Sequence, residues 1–268
     1  MGITLFVAAV SLWGAAAGLL LPRAAYRLSV EVDLPWRSAC PSGHPLTGPA
    51  GGWLGRSVCP RCVPAGRWRG GYAPAAGAVP ATTLVCLALG AGVGARPELA
   101  AWLLLAPFTV LLCFVDRAVH RLPHVLTLPL AATTAVALGG AALFTGTGGS
   151  WTRALLGGLV LGALYLVLHL INPRGMGFGD VTLSLTVGQI LGWYGWSVLF
   201  AGTFAAFLAG TVHGYARIAL RRAERTSPIA FGPFMAGGAL AGVICAGLGL
   251  GLGLDLGLGL ALGAGPVP

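Results

Sequence analysis

Residues 152–193 read TRALLGGLVLGALYLVLHLINPRGMGFGDVTLSLTVGQILGW. The run 152–171 is apolar apart from Arg153 near its start and His169 near its end, and is long enough to cross a hydrocarbon core of roughly 30 Å. The run 180–193 is also apolar but short, which suits a tilted helix or a re-entrant pair with the segment that follows. Backbone in lipid must satisfy its own hydrogen bonds, so both runs are read as helices. Between them lies a short polar and glycine-rich turn ending in Gly177-Phe178-Gly179-Asp180, which leaves a carboxylate at the mouth of the second run.

Working outward, the same pattern recurs. Helices are expected at about 3–22, 79–95, 99–115, 125–144, 152–171, 180–193, 196–216 and 229–262, counted from apolar runs of membrane-crossing character. The fold class is therefore an all-α polytopic membrane protein of about eight transmembrane helices. Its organisation is a first transmembrane helix at 1–22, a Pro-, Gly- and Arg-rich cysteine-containing loop domain at 23–78, a membrane-embedded core at 79–262 and a short tail at 263–268. The composition agrees: 56% of the chain is hydrophobic and only 9% is charged. The Gly/Leu alternation from Gly247 to Gly265 has a strand-like period, but an open strand cannot sit in lipid, so a helix is expected there too.

The net charge of +9 comes wholly from arginine, since the chain has no lysine. Such a balance could suggest nucleic acid in a soluble protein; in a membrane protein it reports topology. Fourteen of the sixteen arginines fall at Arg23 to Arg69, at Arg117 and Arg121, at Arg174, and at Arg217 to Arg225. The positive-inside rule places these segments in the cytoplasm, leaving Arg96 and Arg153 outside. No nucleic-acid partner is expected. Arg174, Arg217 and Arg221 are expected to meet membrane lipid phosphates, with acidic residues of a substrate as the alternative. The first apolar stretch lacks a positive n-region and is followed by Arg23 and Arg27, so it reads as a helix with its N-terminus outside. Trp193 and Trp196 fit an outer aromatic belt.

Only seven residues are acidic. Asp116 and Asp180 stand at the edges of apolar spans, where an ionised group is costly to hold. The expected topology puts both at the cytoplasmic face, Asp116 ending the third helix and Asp180 beginning the sixth. Two carboxylates meeting in a poorly solvated site share a proton, the working state of an aspartic protease. Helix dipoles suggest roles: the N-terminal position favours ionised Asp180 as the base that activates water, and the C-terminal position favours protonated Asp116 as the acid. Gly177 and Gly179, without side chains, would let an extended backbone approach closely.

The loop domain holds Cys40-Pro41-Ser42-Gly43-His44 and Cys59-Pro60-Arg61-Cys62. The second is a CxxC pair. In the first, Gly43 stands where a second cysteine would complete the pair, and His44 follows. Cys40, His44, Cys59 and Cys62 make a candidate Cys3His zinc set, with a knuckle that no longer binds metal as the alternative. Cys86, Cys113 and Cys245 lie within spans and are expected to pack.

Together these residues resemble the prepilin peptidases, or type IV leader peptidases, which are GxGD-type membrane aspartic proteases. Gly177 to Leu183 looks like the GxGDxxL motif. Asp116 with Arg121-Leu122-Pro123 and Leu126-Thr127-Leu128-Pro129 resembles the first aspartate motif. Phe231-Gly232-Pro233-Phe234 resembles the FGPF motif opening the last helix. The cysteine segment is similar to the zinc-binding insertion of bacterial members. The resemblance implies Asp116 and Asp180 as catalytic residues, and Gly177, Gly179, Phe231, Gly232 and Pro233 as the substrate-binding surround. It implies a prepilin or pseudopilin substrate, cut at the cytoplasmic face of the inner membrane, with no cofactor required for proteolysis. In larger members the insertion is associated with methylating the new N-terminus from S-adenosylmethionine. Three positions depart from the pattern: His124 replaces a second aspartate, Gly43 replaces a cysteine, and Ala75 and Ala76 follow Tyr72-Ala73-Pro74 where a glutamate is usual. The competing reading is a non-enzymatic transporter or pilus or secretion assembly factor whose Asp pair binds cations; it needs the aspartates at mid-membrane. A presenilin-like protease is less well matched, since Val115 precedes Asp116 where a tyrosine would stand.

Overall fold

The computed structural model describes residues 2–31, 34–56, 58–59, 61–62, 77–173, 175–220 and 230–250. Among them lie eight long helices and one short helical turn: α1 Gly2–Leu28, α2 Pro49–Gly52, α3 Ala78–Val93, α4 Glu98–Val119, α5 His124–Ala141, α6 Trp151–Ile171, α7 Phe178–Tyr194, α8 Trp196–Ala219 and α9 Gly232–Gly247. No strand occurs among the described residues beyond one isolated bridge, Ala39 with Pro45. Five helices, α1, α4, α5, α6 and α8, are long and apolar enough to cross a membrane; α3 and α9 are shorter apolar helices. The chain is a multi-pass, all-α membrane protein. The stretch 251–262, expected to continue the last helix, and the tail 263–268 lie outside the described residues, as does Asp255.

The outer faces of α1, α5, α6 and α8 carry Ile3, Val136, Leu170 and Phe204 in the open. Such side chains are stable in contact with acyl chains, not water. α7 is the opposite case, with Val181, Leu183, Val187, Leu191 and Trp193 all buried. It is the central post of the bundle, packed by α5, α6, α8 and α9.

Without a hydrophobic effect between helices in lipid, close packing holds them together, and small residues permit it. A Cβ on Gly157 of α6 would stand 2.9 Å from Gly192 Cα, and one on Gly158 would stand 2.9 Å from Leu185 O. α6 and α7 therefore meet backbone to backbone. The same device joins α1 to α3, where a Cβ on Gly18 would stand 2.7 Å from Val79 Cα.

Two helix ends run past their expected bounds. α1 continues through Arg23 to Leu28 because the charged residue is not at a free end. The Arg23 side chain is buried and its Nη1 donates to Thr47 O at 2.7 Å, so the loop segment supplies it with an acceptor. α4 continues through Asp116 to Val119 and stops at His120, whose φ of 50° ends the helix in the left-handed region. Trp193 is also placed differently. It is wholly buried, with its carbonyl accepting the Ser150 N–H at 2.9 Å, so of the two tryptophans Trp196 alone is exposed as a belt residue would be.

The far end of the bundle is tied by polar groups. Glu98 is fully buried and accepts the Gly148 N–H at 2.9 Å. Arg96 donates to Gly247 O at 3.3 Å, and Arg153 to Trp193 O at 3.5 Å.

A Cβ on Gly188 of α7 would stand 2.8 Å from Gly158 Cα of α6, so Gly188→Leu is expected to force the two helices apart, at a cost of about 1–3 kcal/mol typical of overpacking. The check is the unfolding midpoint in detergent, and an unchanged midpoint would contradict the close packing.

Candidate active site

Asp116 lies in the last turn of α4 and is 4% exposed. Its Oδ2 accepts the backbone N–H of Gly232 at 2.8 Å. Gly232 opens α9, so the carboxylate sits on the N-terminus of that helix. The dipole of α9 therefore opposes that of α4 at this carboxylate, so both helix ends bear on its charge. A Cβ on residue 232 would stand 2.9 Å from Asp116 Oδ2, which is why a glycine fits here.

Asp180 is the third residue of α7 and is half-buried. Its Oδ2 accepts the Gly177 N–H at 3.2 Å, half of a capping box. Both carboxylates thus sit on helix N-termini, and Asp180 lies within electrostatic range of Asp116. The joint between them is the turn after α4. A Cβ on Gly179 would stand 2.7 Å from Leu122 Cβ and 2.8 Å from Leu122 O. The close approach expected at Gly179 is made by the chain's own Leu122, which docks the Asp116 turn against the start of α7. Thr127 on α5 and Thr182 on α7 exchange a buried hydrogen bond of 2.8 Å, and Thr182 also donates to Gly179 O at 2.9 Å.

Phe178, between the two glycines, is flanked by imidazoles. The His124 ring centroid is 5.3 Å away and that of His169 is 5.6 Å away, both edge-on. His169 Nδ1 donates to Met176 O at 2.8 Å; a carbonyl only accepts, so the proton is on Nδ1. His169 thus braces the turn before Asp180, a role hidden in sequence because it reads as one more residue of an apolar helix. His120 lies within electrostatic range of Asp116. His213 stacks on Phe234 at 5.3 Å.

Phe231 packs between Phe207, at 5.1 Å between centroids, and Tyr165, at 6.4 Å. Pro233 lines a cavity of about 720 Å³ between α3, α4 and α9, bounded at this end by Arg117. Asp116 contacts Gly232, Asp180 contacts Gly177, and Gly179, Phe231 and Pro233 adjoin these contacts in sequence at the same end of the bundle. Arg217 stands in the last turn of α8, half-buried, whereas Arg174 and Arg221 lie outside the described residues.

A second cluster forms in the loop domain. Cys40, His44, Cys59 and Cys62 bring one ligand atom each to within 4.8 Å of one another. His44 Nδ1 is 3.3 Å from Cys62 Sγ, 3.6 Å from Cys40 Sγ and 3.9 Å from Cys59 Sγ, and the Cys40 and Cys62 sulfurs are 3.9 Å apart. A tetrahedron with Zn–S of about 2.3 Å and Zn–N of about 2.0 Å has edges of about 3.5–3.8 Å. The four residues fit a metal of that kind, with Gly43, at φ 82°, turning the chain so that His44 takes the fourth corner. Burial raises the Cys59 thiol, but hydrogen bonds from the Arg61 and Cys62 backbone and the Cys62 and Cys40 side chains outweigh it and bring it below the ordinary thiol range. Tyr26 of α1 packs against the cluster. Arg121, just past the Asp116 turn, donates to Glu31 O at 3.2 Å, so the loop domain abuts the site. The Tyr72 segment lies outside the described residues.

The fold and site define a multi-pass membrane protein with two carboxylates gathered at one end of its helical bundle. The model of the Type IV leader peptidase family matches residues 103–215. The chain is 34% identical over 217 residues to a prepilin leader peptidase/N-methyltransferase of Aeromonas hydrophila, covering 75% of this chain and 68% of that protein. Proteins of the same name from Stutzerimonas stutzeri and Pectobacterium carotovorum match at 27% and 26%, the first over 86% of this chain and 88% of the relative, the second over 89% and 93%. No solved structure matches. The chain belongs to the type IV leader peptidase family.

Gly232→Ala is expected to push the Asp116 carboxylate off its donor. A displacement of about 1 Å can cost about 10²-fold in rate. Activity equal to wild type would show that the Gly232 contact does not set the position of Asp116.

Proposed function

We propose that this protein is a membrane-embedded aspartic endopeptidase that removes the leader peptide of type IV prepilins or pseudopilins. Asp116 and Asp180 are its dyad. The observation that carries the reading is their placement at one end of the bundle, each on a helix N-terminus, with Asp180 within electrostatic range of Asp116. Two such carboxylates favour holding one proton between them. Asp180, the more exposed, takes a proton from the attacking water, and Asp116 protonates the leaving nitrogen. The pair titrates as one unit.

The cytoplasmic face of the inner membrane is the proposed location of the dyad. Arg117, Arg121 and Arg217 gather at its end, whereas Arg96 and Arg153 stand at the other. A leader in the cytoplasm followed by a hydrophobic helix in the bilayer then meets the dyad at the boundary. The transporter reading is not favoured: the aspartates lie at the bundle end, not at mid-membrane, and the family is one of peptidases.

Zinc is the proposed occupant of the Cys3His cluster, in a structural role, since four protein ligands close a tetrahedral site. Methylation of the new N-terminus from S-adenosylmethionine is the second activity in the relatives' name. For this chain it is tested by a one-methyl mass gain on the cleaved product.

Reconstituted protein is expected to shorten a prepilin from its own organism, with Asp116→Asn and Asp180→Asn each losing cleavage by at least about 10³-fold. Cleavage unaffected by either substitution would refute the dyad. Elemental analysis of purified protein is expected to give one zinc per chain, reduced in Cys59→Ser and in His44→Ala. A metal-free wild type purified without chelator would contradict the zinc assignment.

A further inference from the structure

Tyr165 is 1% exposed, although its neighbours Leu164 and Leu166 on α6 face outward. Its place along α7 follows from the helix register. Gly157 meets Gly188 and Gly192, Gly158 meets Leu185 and Gln189, and Gly162 meets Leu185, an antiparallel pairing. One turn further on, the same register sets Tyr165 level with Asp180 and Val181. The ring is fixed from the other side by Phe207 at 5.6 Å and Phe231 at 6.4 Å. Phe231 immediately precedes Gly232, the donor to Asp116. The ring therefore touches the element that holds one carboxylate and stands level with the other. The phenol also lies within electrostatic range of Asp180.

The hydroxyl has no hydrogen-bond partner among the described residues. Ring packing alone would be served by phenylalanine, as at Phe207 and Phe231. The hydroxyl is not among the side-chain atoms enclosed without a partner, so it keeps some accessible surface and can donate to a partner that arrives with the substrate.

Resting on the reading of the dyad as proteolytic, we propose that the Tyr165 hydroxyl is a further catalytic group, donating a hydrogen bond to the oxygen of the scissile carbonyl as it becomes an oxyanion. In that step the water oxygen bonds to the carbonyl carbon and its proton passes to the basic aspartate. The carbonyl π pair moves onto oxygen, where the tyrosine donor stabilises it. When the carbon–nitrogen bond then breaks, that pair re-forms the carbonyl and the acidic aspartate gives its proton to the departing amine. Tyrosine keeps its proton throughout and adds no charge to the apolar bundle.

The test is Tyr165→Phe, which keeps the ring and its packing, reconstituted in lipid with the prepilin substrate. A fall in kcat of about 10²-fold with KM within about twofold is expected, the size seen when one oxyanion donor is removed. Binding is measured alongside for two peptides spanning the cut site, one with a hydroxyl-bearing tetrahedral carbon in place of the scissile bond and one with an uncleavable planar amide mimic. Tyr165→Phe is expected to weaken the first by a similar factor and leave the second unchanged. An unchanged kcat, or equal weakening of both peptides, overturns the proposal, the latter because a packing defect moves both. Wild type and Asp180→Asn run beside them: if Asp180→Asn still cleaves, the dyad reading has failed and not the tyrosine assignment alone.

Discussion

A carboxylate buried among apolar helices needs a donor, and Asp116 takes its hydrogen bond from the backbone of Gly232, 116 residues further along the chain. A hydrogen bond to a charged group contributes about 1.5–3 kcal/mol, and leaving such a group bare costs more. That requirement brings the start of α9 against the end of α4. It also dictates the glycine, because a side chain at 232 would occupy the carboxylate's place. Phe231 is carried into the space beside Phe207 and Tyr165 by the same contact. On the other side, Leu122 seated on Gly179 brings α7 and Asp180 to the same point.

Much of this was legible in sequence. The eight long helices follow from apolar runs that lipid allows only as helices, and the two aspartates stand out in a chain with seven acids. Helix ends were less legible. Arg23 reads as the end of a span, but its guanidinium finds an acceptor in Thr47 O, which no local pattern announces. The electrostatics of Asp116 could not be read from its own helix, because the helix end that answers it belongs to α9. Gly179 shows why a glycine in a motif has two readings: space for a ligand, or space for the protein's own backbone. His169 and Tyr165 were invisible for a simpler reason. Each is one residue on a helix with weak polar–apolar contrast, and only the neighbouring helix shows which face matters.

The loop domain and the membrane site are built on different chemistry yet share a boundary. The Cys3His cluster holds a chain that has little apolar core of its own, with Tyr26 as its link to α1. The Arg27 guanidinium lies over Trp53 at 4.1 Å and that of Arg37 over Tyr26 at 4.7 Å, so these arginines fasten the loop to the helix end. Through Arg121 and Glu31 that loop reaches the turn bearing Leu122. A metal ordering the loop would thereby steady one wall of the dyad without entering its chemistry.

The central claim is that folding brings residues 116 and 180 together at one membrane edge. Asp116→Cys with Asp180→Cys, in a background with Cys86, Cys113 and Cys245 replaced by alanine, tests it in native membranes with a short thiol cross-linker. The account predicts a cross-linked peptide joining the two positions within one chain, found by mass spectrometry. Ready labelling of each single cysteine with no cross-link in the pair would contradict it.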